Sequence, residues 1–260
     1  MNDDDDLPTP VRLLPVHRVD VATDDHVAVE TPVALVFNGI SHAVMMATPA
    51  DLEAFALGFA VSEGLLASRV ECFGIELKVG AEGIEAHLHV AASAEARLKQ
   101  SRRNLVGRTG CGLCGIDSLR ALNLSPGRVA GSGRPTAATI LKAFAQLPGR
   151  QALNALTGAH HAAGWATANG ELLDVMEDVG RHNALDKLLG QRLLNNERFD
   201  DGFVVMSSRA SYELVLKCAR LGVPTLATIS APTSLAVEIA KQAGMGLFGF
   251  CRGENAVNYA

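Results

Sequence analysis

The strongest constraint on the fold of this chain is an alternation of short apolar runs with helical segments near its C-terminus. Phe203 to Met206, Pro224 to Ile229 and Leu247 to Phe250 are predicted strands. Helices are predicted between them, beginning at Ser207-Ser208 and within Ala231 to Ser234. Strands that alternate with helices in this way form right-handed crossovers and a parallel sheet. The sequence therefore predicts an α/β domain in this region.

The turns that follow these strands are expected to lie side by side. The carboxyl ends of parallel strands share one edge of a sheet, and ligands of open α/β folds bind at that edge. Ser207-Ser208, Ser230 to Ser234 and Cys251-Arg252-Gly253 fall there. Helix N-termini at this position offer free amides to phosphate. The serines are expected to cap helices, and the pattern leaves open whether they also bind phosphate.

The N-terminal half predicts a smaller unit with more strands. Val33 to Phe37 and Ser41 to Met46 read as strands joined by Asn38-Gly39, a dipeptide suited to a tight hairpin turn. A helix is expected to open near Thr48, with the Thr48 hydroxyl as its cap. Two more strands are expected near Cys72 to Val79 and Ile84 to Val90, with His87 and His89 together on a polar face of the second.

Composition limits the classes of protein to which the chain can belong. The net charge of −5 argues against sequence-independent binding to nucleic acid, which needs a broad basic surface. No apolar run approaches the roughly 18 residues that a membrane helix requires. The run Asp3 to Asp6 predicts a disordered acidic start rather than a secretion signal. We therefore expect a cytoplasmic protein whose cysteines are reactive or buried rather than disulfide-bonded.

These patterns predict four regions along the chain. Residues 1–15 are expected to form a disordered acidic tail, and residues 16–106 an N-terminal α+β subdomain. Residues 107–135 are expected to form a glycine-rich loop and linker, and residues 136–260 the α/β domain.

Cys111 and Cys114 lie in that loop, at the spacing C-x-x-C and flanked by Gly110, Gly112 and Gly115. A structural zinc site needs four ligands, and no second C-x-x-C exists. A thioredoxin-like dithiol belongs where a strand opens a helix, whereas this pair follows a polar helical segment. A persulfide relay requires an accessible thiolate, and the arginines just upstream favour that form. The spacing permits this third chemistry without selecting it.

The full set of motifs resembles the formate dehydrogenase accessory sulfurtransferases, the FdhD family. The matching stretches are Pro32 to Gly39, Asp51 to Phe59 with Ser62 to Gly64, Thr109 to Gly115, His161 to Ala163, Glu177 to Lys187, Ser207 to Glu213 and Gly249 to Arg252. The run glutamate-aspartate-valine-glycine-arginine-histidine from Glu177 to His182 is the most specific of them.

The resemblance implies a sulfurtransferase. Members take sulfur from a cysteine desulfurase and pass it to the bis-molybdopterin guanine dinucleotide cofactor, with Mo or W, which the formate dehydrogenase catalytic subunit requires. Cys111 matches the persulfide cysteine and Cys114 the second cysteine. The cofactor-binding segment falls on Phe250, Cys251, Arg252, Gly253, Glu254 and Asn255. The implied fold is a cytidine deaminase-like core with a mixed or parallel sheet plus a smaller N-terminal β-rich subdomain, and the implied assembly is a homodimer.

The resemblance and the predicted sheet edge together place phosphate-binding groups in one pocket. We hypothesise that Ser207, Ser208, Arg209 and Arg252 line it and receive the pyrophosphates of the cofactor. His182 and Asp186 stand four residues apart on a predicted helix. They could form a metal pair, but a structural network is the simpler interpretation.

Two other functions compete with sulfur transfer. A zinc deaminase needs a His-x-Glu and a Pro-Cys-x-x-Cys signature; the chain has no His-x-Glu, and Gly110 rather than proline precedes Cys111. A non-catalytic chaperone that only holds the molybdenum cofactor for formate dehydrogenase would share every predicted binding residue. Only the thiol chemistry separates that chaperone from a sulfurtransferase.

Overall fold

A computed structural model describes residues 7–19, 21–103, 126–129 and 134–260 of the chain. The strands are β1 Val11–Arg18, β2 Val21–Ala28, β3 Thr31–Phe37, β4 Ile40–Ala47, β5 Cys72–Gly80, β6 Gly83–Val90, β7 His161–Thr167, β8 Leu172–Asp178, β9 Gly202–Met206, β10 Thr225–Thr228, β11 Gly246–Arg252 and β12 Asn255–Asn258. The α-helices are α1 Leu52–Ser62, α2 Ala92–Arg103, α3 Ala137–Gln146, α4 Ala152–Thr157, α5 Arg181–Leu194, α6 Tyr212–Arg220 and α7 Ser234–Ala243.

The C-terminal strands form one six-stranded mixed sheet in the order β12-β11-β10-β9-β7-β8. The strands β9, β10 and β11 are parallel to one another, as their alternation with helices predicts. The strand β7 runs antiparallel to both β8 and β9, and β12 runs antiparallel to β11. The fold is therefore mixed α/β.

Helices cover both faces of this sheet. Apolar side chains of α5, α6 and α7 pack on one face, and those of α3 pack on the other. A strand covered on both faces needs apolar residues at every position rather than at alternate ones. This explains why all five residues of β9 are buried, and why the sequence of β9 is one continuous apolar run.

The N-terminal half forms a four-stranded sheet in the order β4-β3-β6-β5, and α1 packs against it. Asn38 and Gly39 join β3 to β4 with φ angles of 46° and 80°. Two consecutive left-handed residues define the tight turn that matches the twist of a hairpin, so the predicted turn is confirmed. In β6 the burial alternates, and His87 and His89 lie on its more exposed face, where His87 contacts Glu85.

A separate two-stranded hairpin, β1–β2, precedes the four-stranded sheet. It begins at Val11, inside the segment 1–15 that the composition predicts to be a disordered tail. The expected boundary is therefore wrong from Val11 onward, because the acidic run ends at Asp6 and the residues Val11 to Val16 are mostly apolar and suited to a strand.

Two predicted helix starts are also wrong. The residue before α1 is Asp51, with φ 54°, whereas Thr48 is buried and its hydroxyl accepts the Val179 N–H at 3.1 Å. The helix α6 begins at Tyr212, after Ser211, and not at Ser207-Ser208. In both cases the hydroxyl accepts a hydrogen bond from another part of the chain instead of capping the helix. For Ser207 the donor is the N–H of Ala162, at 2.7 Å from Oγ.

The two halves of the molecule meet where α1 crosses α5. A Cβ on Gly58 would lie 1.8 Å from the carbonyl oxygen of Asp186, and one on Gly190 would lie 1.7 Å from that of Ala54. Both glycines are therefore required for the two backbones to approach this closely.

Candidate functional site at the edge of the C-terminal sheet

The ends of five strands converge on one edge of the six-stranded sheet, and backbone hydrogen bonds join their turns. The Ser207 amide donates to the Ala162 carbonyl at 3.0 Å, which links the turn after β9 to the start of β7. The Ile229 amide donates to Met206 at 3.0 Å, and the Phe250 amide donates to Ser230 at 3.2 Å. The edge is thus one continuous surface from β7 to β11, as the predicted topology requires.

The three residues that follow β9 have different environments along this edge. The hydroxyl of Ser207 accepts the amide of Ala162. Ser208 is 5 % exposed, and its hydroxyl donates to the carbonyl of Arg209 at 3.0 Å. Arg209 itself is exposed. Of the three residues, therefore, Arg209 is exposed, Ser207 is half-buried and Ser208 is buried, and both serine hydroxyls form hydrogen bonds with backbone groups.

The segment from Phe250 to Asn255 comprises the end of β11, the two-residue turn Gly253-Glu254 and the first residue of β12. Phe250 has φ 54°, a left-handed conformation that costs a non-glycine residue about 1 kcal/mol. The pairing of β11 with β12 shifts register between Gly249 and Arg252, so this conformation lies within a bulge. Bulges of this kind redirect side chains and often lie beside functional sites.

The six predicted cofactor-binding residues divide into two groups on this turn. Arg252 pairs with Asn255 across the tip, and Gly253 there has φ 59°. Arg252, Gly253, Glu254 and Asn255 are exposed, and Phe250 is half-buried. Cys251 is fully buried, and it packs with the cluster beneath α3. Five of the six residues are thus at least partly open to solvent, whereas the thiol of Cys251 faces the core.

The three described cysteines are all buried. Burial raises the pKa of the Cys251 thiol to about 12. Burial likewise raises the pKa of Cys72 and of Cys218. A buried thiol with a raised pKa is a poor nucleophile, because the thiolate is the reactive form. The remaining two of the five cysteines, Cys111 and Cys114, lie outside the described residues.

The run from Glu177 to Lys187 is largely a structural network. The carboxylate of Glu177 accepts the N–H groups of Leu153 and Asn154, both at 2.8 Å, in the first turn of α4. Asp178 and Lys187 form an ion pair at 2.7 Å in which both side chains have no exposure. The second oxygen of Asp178 accepts the amide of Gly180 at 2.8 Å. These bonds fix the turn between β8 and α5.

His182 and Asp186 do not form a metal pair. Asp186 is buried and binds Lys217 at 2.8 Å, whereas His182 Nε2 lies 3.2 Å from Glu213. Within residues 7–19, 21–103, 126–129 and 134–260, no cluster of three or more histidine, cysteine or carboxylate side chains is suited to a metal ion. Each of the two side chains thus contacts a residue of α6 and not the other.

Several residues of these networks were not anticipated from the sequence. Lys217 reaches the hydroxyl of Ser62 at 2.9 Å and Glu63 at 2.7 Å, across 155 positions in the first case. No local pattern marks such a partner, because Lys217 lies in an ordinary amphipathic helix.

His161 and Arg181 lie close together at the β7–β8 end of the edge. Burial lowers the pKa of His161, and the charge of Arg181 lowers it further. The hydrogen bond with the Ser207 backbone opposes this, followed by a lowering effect of His182 and a raising effect of Asp178. The Nε of Arg181 is buried and meets no acceptor among the described residues. A buried donor without an acceptor is uncommon in folded proteins, because its desolvation is not offset by a hydrogen bond.

The part of the chain that the structure describes has no helix that is both long and apolar enough to cross a membrane. The observed architecture is that of a mixed α/β protein whose candidate site lies at the carboxyl edge of its parallel strands. This is the general position of ligand sites in open α/β folds.

Comparison with known proteins defines the family. The FdhD/NarQ family profile matches residues 28–260, so the chain belongs to the FdhD/NarQ family. The "Sulfur carrier protein FdhD" of Chromobacterium violaceum is 58 % identical over 238 residues, covering 90 % of this chain and 88 % of that protein. The protein of the same name from Burkholderia cenocepacia is 54 % identical over 258 residues, covering 95 % and 92 %.

A solved structure has the same fold. The crystal structure described as that of a formate dehydrogenase accessory protein from Desulfotalea psychrophila superposes with a TM-score of 0.74 at 28 % identity. The match covers 96 % of this chain and 95 % of the other. The fold is therefore shared over nearly the whole length of both proteins.

Proposed function

We propose that this chain is a sulfurtransferase that accepts persulfide sulfur from a cysteine desulfurase on Cys111 and transfers it to bis-molybdopterin guanine dinucleotide. The acceptor, with molybdenum or tungsten, is a bound substrate and becomes part of formate dehydrogenase. Relatives more than 50 % identical carry the name sulfur carrier protein, and the similar crystal structure is described as that of a formate dehydrogenase accessory protein. Both names support this proposal.

The observation that carries the proposal is the state of the described cysteines. Sulfur transfer requires a thiolate that a donor persulfide can reach. Cys72, Cys218 and Cys251 are buried with raised pKa values, so none of them meets this requirement. The chemistry is therefore assigned to Cys111, with Cys114 as the second thiol that assists release.

The edge of the C-terminal sheet supports binding of the pterin substrate. Arg209 and Arg252 are exposed there, and a guanidinium group binds phosphate oxygens in a bidentate manner. In this proposal Phe250, Arg252, Gly253, Glu254 and Asn255 contact the nucleotide directly. Cys251 supports the turn from below, because its thiol hydrogen-bonds to the Gly249 carbonyl in the core.

The finer assignments of fold and setting are part of the same proposal. We place the α/β half among cytidine deaminase-like cores, and we expect a homodimer in the cytoplasm. We expect Cys111 and Cys114 to lie where the desulfurase docks, because a donor persulfide must come into contact with the acceptor thiol.

Mass spectrometry after incubation with a cysteine desulfurase and cysteine tests the function. The proposal predicts one added sulfur on Cys111 in the wild type and in Cys114→Ala, and none in Cys111→Ala. Cys251→Ala is the matched control and should load sulfur like the wild type. A wild-type protein that gains no sulfur while still binding the pterin substrate would instead be a non-catalytic cofactor chaperone.

A further inference from the structure

The edge of the C-terminal sheet carries a basic group that the proposed nucleotide segment does not use. His161 begins β7, and Arg181 and His182 begin α5. The ends of β7 and β8 are three to four strands away from the end of β11 in the sheet order. At about 4.8 Å between neighbouring strands, this separation is roughly 15–20 Å. The group is therefore spatially distinct from the turn that contains Arg252.

The carboxylates nearest to this group are already engaged. Both oxygens of Asp178 hold buried donors, which include Lys187 and the amide of Gly180. Glu213 is hydrogen-bonded to Nε2 of His182. The Nε of Arg181 has no acceptor among the residues that the structure describes. At least one buried donor of this group therefore has no acceptor among the described residues.

The backbone adds further donors at the same place. Gly180 precedes α5, a helix of 14 residues, and makes no side-chain cap. The first amides of a helix have no intrahelical acceptor and carry the positive end of the helix dipole. The amides of Arg181 and His182 belong to this first turn, so the buried guanidinium nitrogen and the free amides are adjacent in the chain.

We propose that Arg181, His161 and His182 form an oxyanion-binding subsite at the N-terminus of α5. The inference rests on the proposed function, and it names the part of the substrate that this end of the edge receives. The ligand is a tetrahedral oxyanion of the phosphate class, such as a phosphate of the nucleotide. His182 is held in place by Glu213, and Arg181 supplies the charge.

Binding of small anions tests the subsite directly. Calorimetric titration with GDP and with molybdate compares the wild type with Arg181→Gln and His161→Gln. Loss of the charged donor should weaken at least one probe by about tenfold or more. Weakened GDP binding assigns the subsite to a phosphate of the nucleotide, and weakened molybdate binding alone assigns it to a free tetrahedral oxyanion. If both variants bind both probes as the wild type does, the subsite does not exist.

Arg198→Gln is the matched control. Arg198 is exposed, pairs with Asp200 and precedes β9, so it lies toward the opposite edge of the sheet. The same change of charge there should leave both affinities unchanged. Equal weakening in Arg198→Gln would show that only net charge matters, and it would overturn the subsite.

The titration of His161 gives a second readout that a merely structural residue would not change. The groups that act on it are Arg181 and His182 from α5, Asp178 from β8 and the backbone of Ser207. A bound anion offsets the two cations, so the saturating probe should raise the pKa of His161 in NMR. His161→Gln identifies the resonance. An unchanged midpoint in the presence of saturating probe would contradict the subsite.

The outcome can be separated from that of the proposed function. The wild type should gain persulfide sulfur on Cys111 whether or not the subsite exists, because loading needs no oxyanion at α5. If Cys111 gains persulfide sulfur but the Arg181 and His161 variants bind the anions as the wild type does, only the subsite is contradicted. If the wild type gains no sulfur, the proposed function is contradicted, and the anion titrations still test the subsite independently.

Discussion

Lys217 and Asp186 form a buried ion pair between α6 and α5, with 2.8 Å between Nζ and Oδ1 and at most 4 % exposure of either side chain. The ammonium group also meets the Ser62 hydroxyl at 2.9 Å and the Glu63 carboxylate at 2.7 Å, both near the end of α1. The pair therefore joins the N-terminal sheet and its helix to the C-terminal sheet. Its charges are costly to bury, and each is compensated by several partners.

Removal of one partner should be strongly destabilising. We expect Asp186→Ala to lower the free energy of unfolding by about 3–5 kcal/mol, because it leaves Lys217 buried with less compensation. The control is Asp200→Ala, which breaks an exposed ion pair with Arg198 and should leave the free energy of unfolding nearly unchanged. Urea denaturation measures both. Equal losses in the two variants would contradict the importance of the buried pair.

The same network predicts a loss of stability in alkali. Burial opposes the charged form of Lys217, but the charges of Asp186 and Glu63 outweigh it and raise the pKa of Lys217 above its ordinary 10.5. A raised pKa in the folded state contributes stability that is present below pH 10.5 and lost as the pH rises through the folded value. Lys217→Met should therefore lose less stability than the wild type on going from pH 9 to pH 12. A parallel decline in both proteins would count against this linkage.

The crossing of α1 and α5 should not tolerate a methyl group. In Gly190→Ala the new Cβ meets the carbonyl oxygen of Ala54, so the helices must separate. We expect a loss of about 3 kcal/mol or more in the free energy of unfolding. Gly149→Ala is the matched control, because no atom lies within 4 Å of its added Cβ. If Gly190→Ala unfolds at the same urea concentration as Gly149→Ala, the close crossing is wrong.

Thiol labelling should distinguish the cysteines by burial. With a pKa of about 12, Cys251 has a thiolate fraction on the order of 10⁻⁴ at pH 8. We expect native protein to react with iodoacetamide only at Cys111 and Cys114, and protein in denaturant to react at all five cysteines. Peptide mapping reads out each site. Rapid native labelling of Cys218 or Cys251 would remove the argument that assigns sulfur transfer to Cys111.

The sequence was sufficient to predict the local architecture. The hairpin at Asn38-Gly39 and the parallel strands β9, β10 and β11 follow from turn chemistry and from the alternation of strands with helices, which depend on neighbouring residues. The position of Arg252 at the carboxyl edge of the parallel strands follows from the same topology. These features are local, so their signals are contained in short stretches of chain.

The sequence could not predict which hydroxyl and charged groups would bond to residues far away in the chain. Thr48 was expected to cap α1, but it binds the turn before α5. Ser207 was expected to cap α6, but it accepts an amide from β7. Propensity identifies residues that are able to cap a helix. Tertiary contacts decide which backbone N–H donates a hydrogen bond to each hydroxyl.

The central claim is that sulfur passes from Cys111 to the pterin substrate, and a single-turnover chase tests it most directly. Protein loaded with ³⁵S from a desulfurase is separated from the donor and then mixed with unsulfurated bis-molybdopterin guanine dinucleotide. The account predicts that label leaves Cys111 and appears in the pterin fraction at the same rate, while Cys111→Ala carries no label. Label that stays on Cys111, or that reaches the pterin equally well in Cys111→Ala, would contradict the account.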